Sequence, residues 1–106
     1  NGILNQRSND MLTANNWNVL QYSLLLMMFA QVSGFKPGTL VHVIADAHIY
    51  DRHVDMVKEI IQKPQHPAPK LIMNSNVKNF YDFKLEDFQL VDYEYEKLGK
   101  KIPVAI

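Results

Sequence analysis

TLVHVIADAHIY, at residues 39–50, is the stretch whose reading decides the fold. It is rich in β-branched residues and alternates in character with a period of two, which predicts a strand. Val41, Val43, Ala45, Ala47 and Ile49 fall on one face, and His42, Ile44, Asp46, His48 and Tyr50 on the other. A strand with one apolar face and one polar, aromatic face is either half exposed or lines a pocket. Immediately downstream, Asp51 is placed to cap a helix over about 52–63, where Val54, Val57, Ile60 and Ile61 make one apolar stripe. Pro64 ends that helix, and PQHPAP at 64–69 reads as an extended connector.

Working upstream, residues 3–8 read as a strand leading into the Asn-rich run TANN at 13–16. Asn15 and Asn16 are N-cap candidates for a helix that runs to Val32 and is ended by Ser33-Gly34, with Lys36-Pro37-Gly38 as a turn. Apolar residues lie nearly all round this helix, which predicts a central, buried position. Its most apolar part, VLQYSLLLMMFAQV at 19–32, is too short for a membrane span and carries Gln21, Ser23 and Gln31. Downstream, short strands are expected at 70–74 and 88–93, with a turn at Leu85-Glu86-Asp87. Strands and helices in this order give an α/β layout of the α+β type within one domain.

The 106 residues suffice for one modest core, and 47% hydrophobic with 21% charged residues is ordinary for a globular protein. Eleven basic and eleven acidic residues give a formal net charge of +0, so no global field points to nucleic acid, a membrane surface or an acidic partner. There is no cysteine, hence no disulfide, no thiolate metal site and no cysteine nucleophile within these residues; a cytoplasmic setting fits. NGILNQRSND is neither a signal nor a transit peptide, lacks an initiator Met and opens as if in mid-strand, so the chain is expected to be a piece of something longer.

The crowding of Asp46, His48, Asp51 and His53 near His42 raises the question of a metal. His42 and His48 share a face but lie six positions apart, roughly 20 Å along a straight strand, so they cannot ligate one ion and a metal is rejected. Polar residues hydrogen-bonded on a partly buried face account for them, and His53 is expected on a helix surface. In QRSND at 6–10, Arg7 and Ser8 offer a planar guanidinium and a hydroxyl suited to phosphate. Asn18, behind Trp17 at the start of the helix, presents an acceptor and two donors to an amide-like ligand edge, or tidies the first turn. Pro103, Val104, Ala105 and Ile106 form an apolar tail that could dock or act as a lid.

QRSND at 6–10, WNVLQYSLL at 17–25, FAQVSGFKPG at 29–38, DAHIYDRH at 46–53, PAPKL at 67–71, YDFKLEDFQL at 81–90 and the closing PVAI together resemble the C-terminal part of the thymidylate synthase family, in the family's order and close to its spacing. The resemblance implies a thymidylate synthase-like mixed sheet with a central buried helix, of which this chain is only the C-terminal part. It implies conversion of dUMP to dTMP, with 5,10-methylenetetrahydrofolate as co-substrate giving the one-carbon unit and the hydride. The implied nucleophile is a cysteine that adds to C6 of the uracil. In the family that cysteine, like the partner-subunit arginines on the phosphate, lies upstream of the residues present here, so the chain alone is expected to be inactive.

By the same resemblance Arg7 and Ser8 match the phosphate contacts, Asn9 and Asp10 continue the nucleotide segment, and Asp10 also faces the pterin. Asn18 matches the asparagine that reads uracil, where aspartate would suit the related deoxycytidylate hydroxymethylases. His48 and Tyr50 match the pair on the deoxyribose 3′-hydroxyl. Trp17, Ala105 and Ile106 fall on the folate side, the last two in the closing segment. A homodimer built by sheets packed face to face is implied, with no metal, nucleic acid or membrane. TANNWN departs from the commoner LGLPFN-type run, so that Ala14 stands for glycine and Trp17 for phenylalanine, and Ile44-Ala45 replaces a common Gly-Gly. These departures bear on the folate pocket and point to a divergent branch. A pyrimidine hydroxymethylase of the same family and a non-catalytic nucleotide-binding or dimerisation module are the alternatives.

Overall fold

The computed structural model describes residues 1–104. Its elements are β1 (Gly2–Asp10), α1 (Asn15–Val32), β2 (Leu40–His48), a 3-10 turn at Asp51–His53, α2 (Val54–Ile61), β3 (Lys70–Met73), 3-10 turns at Phe80–Asp82 and Leu85–Asp87, and β4 (Phe88–Val91). This is the α/β arrangement the sequence predicts. β1 pairs with β2 in parallel, with Gly2 opposite Leu40 and Asp10 opposite His48. α1 is the crossover that such a pair requires. β3 and β4 pair antiparallel as a second two-stranded sheet, so both pairing directions occur, but in separate sheets.

The turn into α1 is made by Asp10, not by the asparagines. Asp10 Oδ1 accepts from the backbone N–H groups of Leu12 (2.9 Å) and Thr13 (3.1 Å), and the Thr13 hydroxyl donates to Oδ2 (2.6 Å). Ala14 then occupies the cap position without any side-chain capping bond. The chain has already turned before Asn15, whose side-chain oxygen accepts from Asn9 Nδ2 instead. Asp51 likewise does not cap α2: it opens the 3-10 turn that His53 N–H closes onto the Tyr50 carbonyl at 2.8 Å.

At its far end α1 stops as the sequence predicts. Phe35 N–H bonds the Ala30 carbonyl and Gly34 N–H the Gln31 carbonyl, with Gly34 at φ 73°, a Schellman ending. A Cβ on Gly34 would meet nothing within 4 Å, so only backbone conformation opposes a side chain there. Gly34→Ala is accordingly expected to cost about 1 kcal/mol, read as a lower denaturant midpoint with an unchanged m-value.

The expectation of a helix buried round most of its circumference is not met within these residues. Only Ala30 of α1 is buried, while Trp17, Leu20 and Phe29 stand largely exposed. Two short sheets and one short helix supply too little surface to cover it. β2 shows the same effect: His42, Ile44 and His48 are half-buried on the α1 side, and the apolar face of Val41, Val43 and Ala45 is exposed. On α2, Val54, Val57 and Ile60 are half-buried, but Ile61 of the expected stripe is exposed. Gln31 ties α1 to the loop before the last turns by donating to the Asn74 and Val77 carbonyls, and Phe29 stacks on Phe80 with ring centroids 4.9 Å apart. Among the described residues no helix is long and apolar enough to cross a membrane.

Candidate functional site

The candidate residues gather where β1 ends, β2 ends and α1 begins. In the parallel register Ser8 lies beside Asp46 and Asp10 beside His48, and alternation turns Gln6, Ser8 and Asp10 to the same side as His42, Asp46 and His48. α1 starts over that side and brings Asn18 to it. Arg7 points to the opposite face, exposed, and makes no hydrogen bond or ion pair among the described residues. The Ser8 hydroxyl lies 3.4 Å from Asp46 Oδ2, too long to hold it firmly. Asn9 is almost fully buried, and its Oδ1 has no partner among the described residues.

Asn18 is held by a residue that the sequence reading did not single out. Gln6 Nε2 donates to Asn18 Oδ1 at 2.9 Å and to the Ser8 carbonyl at 2.9 Å. Its own oxygen accepts from His42 Nε2 at 2.7 Å, which fixes the histidine proton on that nitrogen. Because the Ser8 carbonyl can only accept, Gln6 presents its NH2 to that side, which makes Asn18 Oδ1 the acceptor and leaves the Asn18 NH2 for a ligand. Gln6 sits inside the QRSND motif, so the signal was present. Its partners become visible only once the β1–β2 register is known.

His48 and Tyr50 are brought together, ring centroids 5.2 Å apart and edge to face. His48 Nδ1 is 3.4 Å from the Asp46 carbonyl oxygen and 3.6 Å from its carboxylate, so ring packing more than hydrogen bonding orients it. Tyr50 is followed by His53, edge to face at 5.8 Å. Contrary to the surface position expected, His53 is 1% exposed, because the segment ending at Pro103 crosses it and accepts from its Nε2 at 2.8 Å. Nothing in a local helical pattern signals that distant partner. Trp17 is 75% exposed at the start of α1. Ala105 and Ile106 lie outside the described residues.

Asp10 carries the clearest electrostatic signature. Burial raises its pKa, but the Thr13 hydroxyl and the Thr13 and Leu12 N–H groups outweigh this, with His53 adding a little, so the carboxyl titrates below its ordinary value. A depressed folded-state pKa means that this stabilisation is complete above the unfolded value, about 4, and is lost as pH falls through the lower folded value. Asp10→Asn is expected to remove that component of the acid transition, visible as a loss of pH dependence in the Thr13 amide shift.

Three of the four histidines are otherwise engaged: His42 with Gln6, His53 with Pro103, and His66 with Glu96 at 2.9 Å. Among the described residues no group of three or more His, Cys, Asp or Glu side chains is placed to hold a metal ion. Two shallow apolar grooves run along α1 and the start of β1, lined by residues such as Leu26 and Phe29, and no candidate residue lines either.

Comparison with known proteins gives this cluster its context. The family model described as thymidylate synthase matches residues 1–106. Among curated relatives, a thymidylate synthase of Bacillus licheniformis is 46% identical over 99 residues, covering 92% of this chain and 36% of the relative. Thymidylate synthase 1 of Bacillus subtilis (strain 168) is 45% identical over 89 residues, covering 84% and 32%. The solved structure of thermostable thymidylate synthase A from Bacillus subtilis superimposes with a TM-score of 0.86 at 41% identity, covering 96% of this chain and 36% of that one. The chain thus spans about a third of the length of the relatives it matches. With the family model matched along its whole length, the chain belongs to the thymidylate synthase family.

Proposed function

We propose that this chain is the C-terminal part of a thymidylate synthase, a transferase that reductively methylates dUMP to dTMP using 5,10-methylenetetrahydrofolate. The observation that carries the reading is the family match along all 106 residues, with asparagine at the base-reading position 18. Arg7 and Ser8 bind the phosphate, with Asn9 and Asp10 continuing along the nucleotide. Asn18 accepts from uracil N3–H and donates to O4. His48 and Tyr50 hold the 3′-hydroxyl. The folate supplies the one-carbon unit and the hydride when bound. This chain's donor set suits it: Asp10 stays ionised as an acceptor for the pterin, and the exposed Trp17 offers an apolar platform. Ala105 and Ile106 complete the folate side.

The 106 residues contain no cysteine, so by themselves they lack a thiolate to add to C6. With dUMP and methylenetetrahydrofolate, the intact protein is expected to release dihydrofolate and this chain alone none. Turnover by the isolated chain, or hydroxymethyl product from the intact protein, would overturn the reading.

The partner is a second copy, in a cytoplasmic homodimer. The face of the parallel sheet turned away from α1 fits this, being apolar at Ile3, Val41 and Val43, which are left exposed in a chain about a third of its relatives' length. Val43→Lys in the intact protein is expected to shift sedimentation from dimer to monomer.

A further inference from the structure

The segment before the C-terminal residues is strapped along α2 by four side chains. Lys63 Nζ donates to the Lys97 carbonyl at 3.2 Å, and Lys100 pairs with Glu59. His53 Nε2 donates to the Pro103 carbonyl and Arg52 Nη1 to the Val104 carbonyl, each at 2.8 Å. As the α2-side partners descend from 63 to 52, the segment's ascend from 97 to 104, so the segment runs antiparallel to the helix and ends at the turn after Tyr50. Three of the four contacts grip main-chain carbonyls, and therefore fix the path of the segment whatever its side chains.

The contacts are unequal. Lys100 and Arg52 are exposed and Lys63 is only half-buried, so water and salt compete for all three. His53 is 1% exposed, so its end of the bond to the exposed Pro103 is shielded, and breaking the bond leaves a buried imidazole N–H to be satisfied elsewhere. Pro103 has no N–H, so that carbonyl is its only main-chain hydrogen-bonding group. On its other side His53 meets the Tyr50 ring edge to face, and its own N–H holds the Tyr50 carbonyl at 2.8 Å. Tyr50 in turn packs on His48. One buried side chain thus touches both Tyr50 of the aromatic pair and the backbone of the tail.

We infer that His53, seconded by Arg52, is a positioning residue that fixes the tail relative to the His48–Tyr50 face, and so governs folate binding more than nucleotide binding. This rests on the function proposed above. In the intact protein, His53→Leu is expected to raise KM for methylenetetrahydrofolate about tenfold, the worth of one shielded hydrogen bond, with dUMP affinity within about twofold of wild type. His53→Gln, which keeps a donor near the Nε2 position, restores most of the loss. Arg52→Ala, at an exposed position where truncation leaves folding intact, gives the same pattern at about threefold.

Unchanged folate KM in folded His53→Leu and Arg52→Ala, equal losses for folate and dUMP, or no rescue by glutamine would each overturn the inference. A readout independent of turnover separates it from the parent reading. Tryptic cleavage after Lys97, Lys100 and Lys101 of the native protein should quicken about tenfold in His53→Leu. A wild-type protein that does not act on dUMP would sink the function while leaving the anchor to be judged by proteolysis; unchanged cleavage in the variants would sink the anchor alone.

Discussion

Asn18→Asp in the intact protein is expected to lower the ratio of dUMP to dCMP affinity by about a hundred- to a thousandfold, because two buried pairings change sense at about 1–3 kcal/mol each. In the proposed binding mode the carboxamide carbonyl accepts from uracil N3–H and its NH2 donates to O4. Cytosine presents an acceptor and a donor at those two positions. The amide can discriminate only if it cannot flip. Gln6 prevents flipping by donating to Asn18 Oδ1, and the Ser8 carbonyl, which can only accept, prevents Gln6 itself from flipping. A second arm follows: Gln6→Leu should reduce the same ratio about tenfold, the loss of one orienting bond, although position 6 itself touches no base. Calorimetric titration of both nucleotides into wild type and variants reads this directly. An unchanged ratio in Asn18→Asp would remove Asn18 from base recognition.

The second large effect concerns the phosphate. Arg7→Ala is expected to weaken dUMP binding by roughly a hundred- to ten-thousandfold, from two charge-assisted bonds at about 1.5–3 kcal/mol each, while leaving deoxyuridine binding unchanged. The structure makes this variant clean. Arg7 is exposed on its strand and engages no group among the described residues, so its truncation should alter folding stability by no more than about 0.5 kcal/mol. Ser8→Ala, which removes a neutral hydroxyl from the other face, should cost about tenfold. A parallel loss of deoxyuridine affinity would show that Arg7 acts on the fold or the base, not on the phosphate. Raising the ionic strength should narrow the gap between wild type and Arg7→Ala for dUMP alone.

Much of the local structure was legible in the residues. The span of α1, its ending at Ser33-Gly34, the alternation of β2 and the turn at Leu85–Asp87 all appear where the pattern places them. So do the motif residues at the ends of β1 and β2. These features depend on φ preferences and on hydrogen bonds between residues a few positions apart, which a short window of sequence contains. The misreadings have different causes, one local and one distant. Asn15 and Asn16 looked like caps, but Asp10, five residues upstream of Asn15, had already satisfied the turn. His53 looked like a helix-surface residue, but a carbonyl fifty positions later in the chain closes over it.

The sequence by itself determined the elements, the family to which they belong and the residue types gathered at the candidate site. Only the tertiary structure decided that the polar face of β2 is the covered one, that Gln6 orients Asn18, and that the tail runs back along α2 to His53. The physical reason is that burial and long-range hydrogen bonds are relations between segments. A residue's chemistry limits which partners it can accept, but the register of β1 on β2 and the path of residues 97–104 determine which of them arrive.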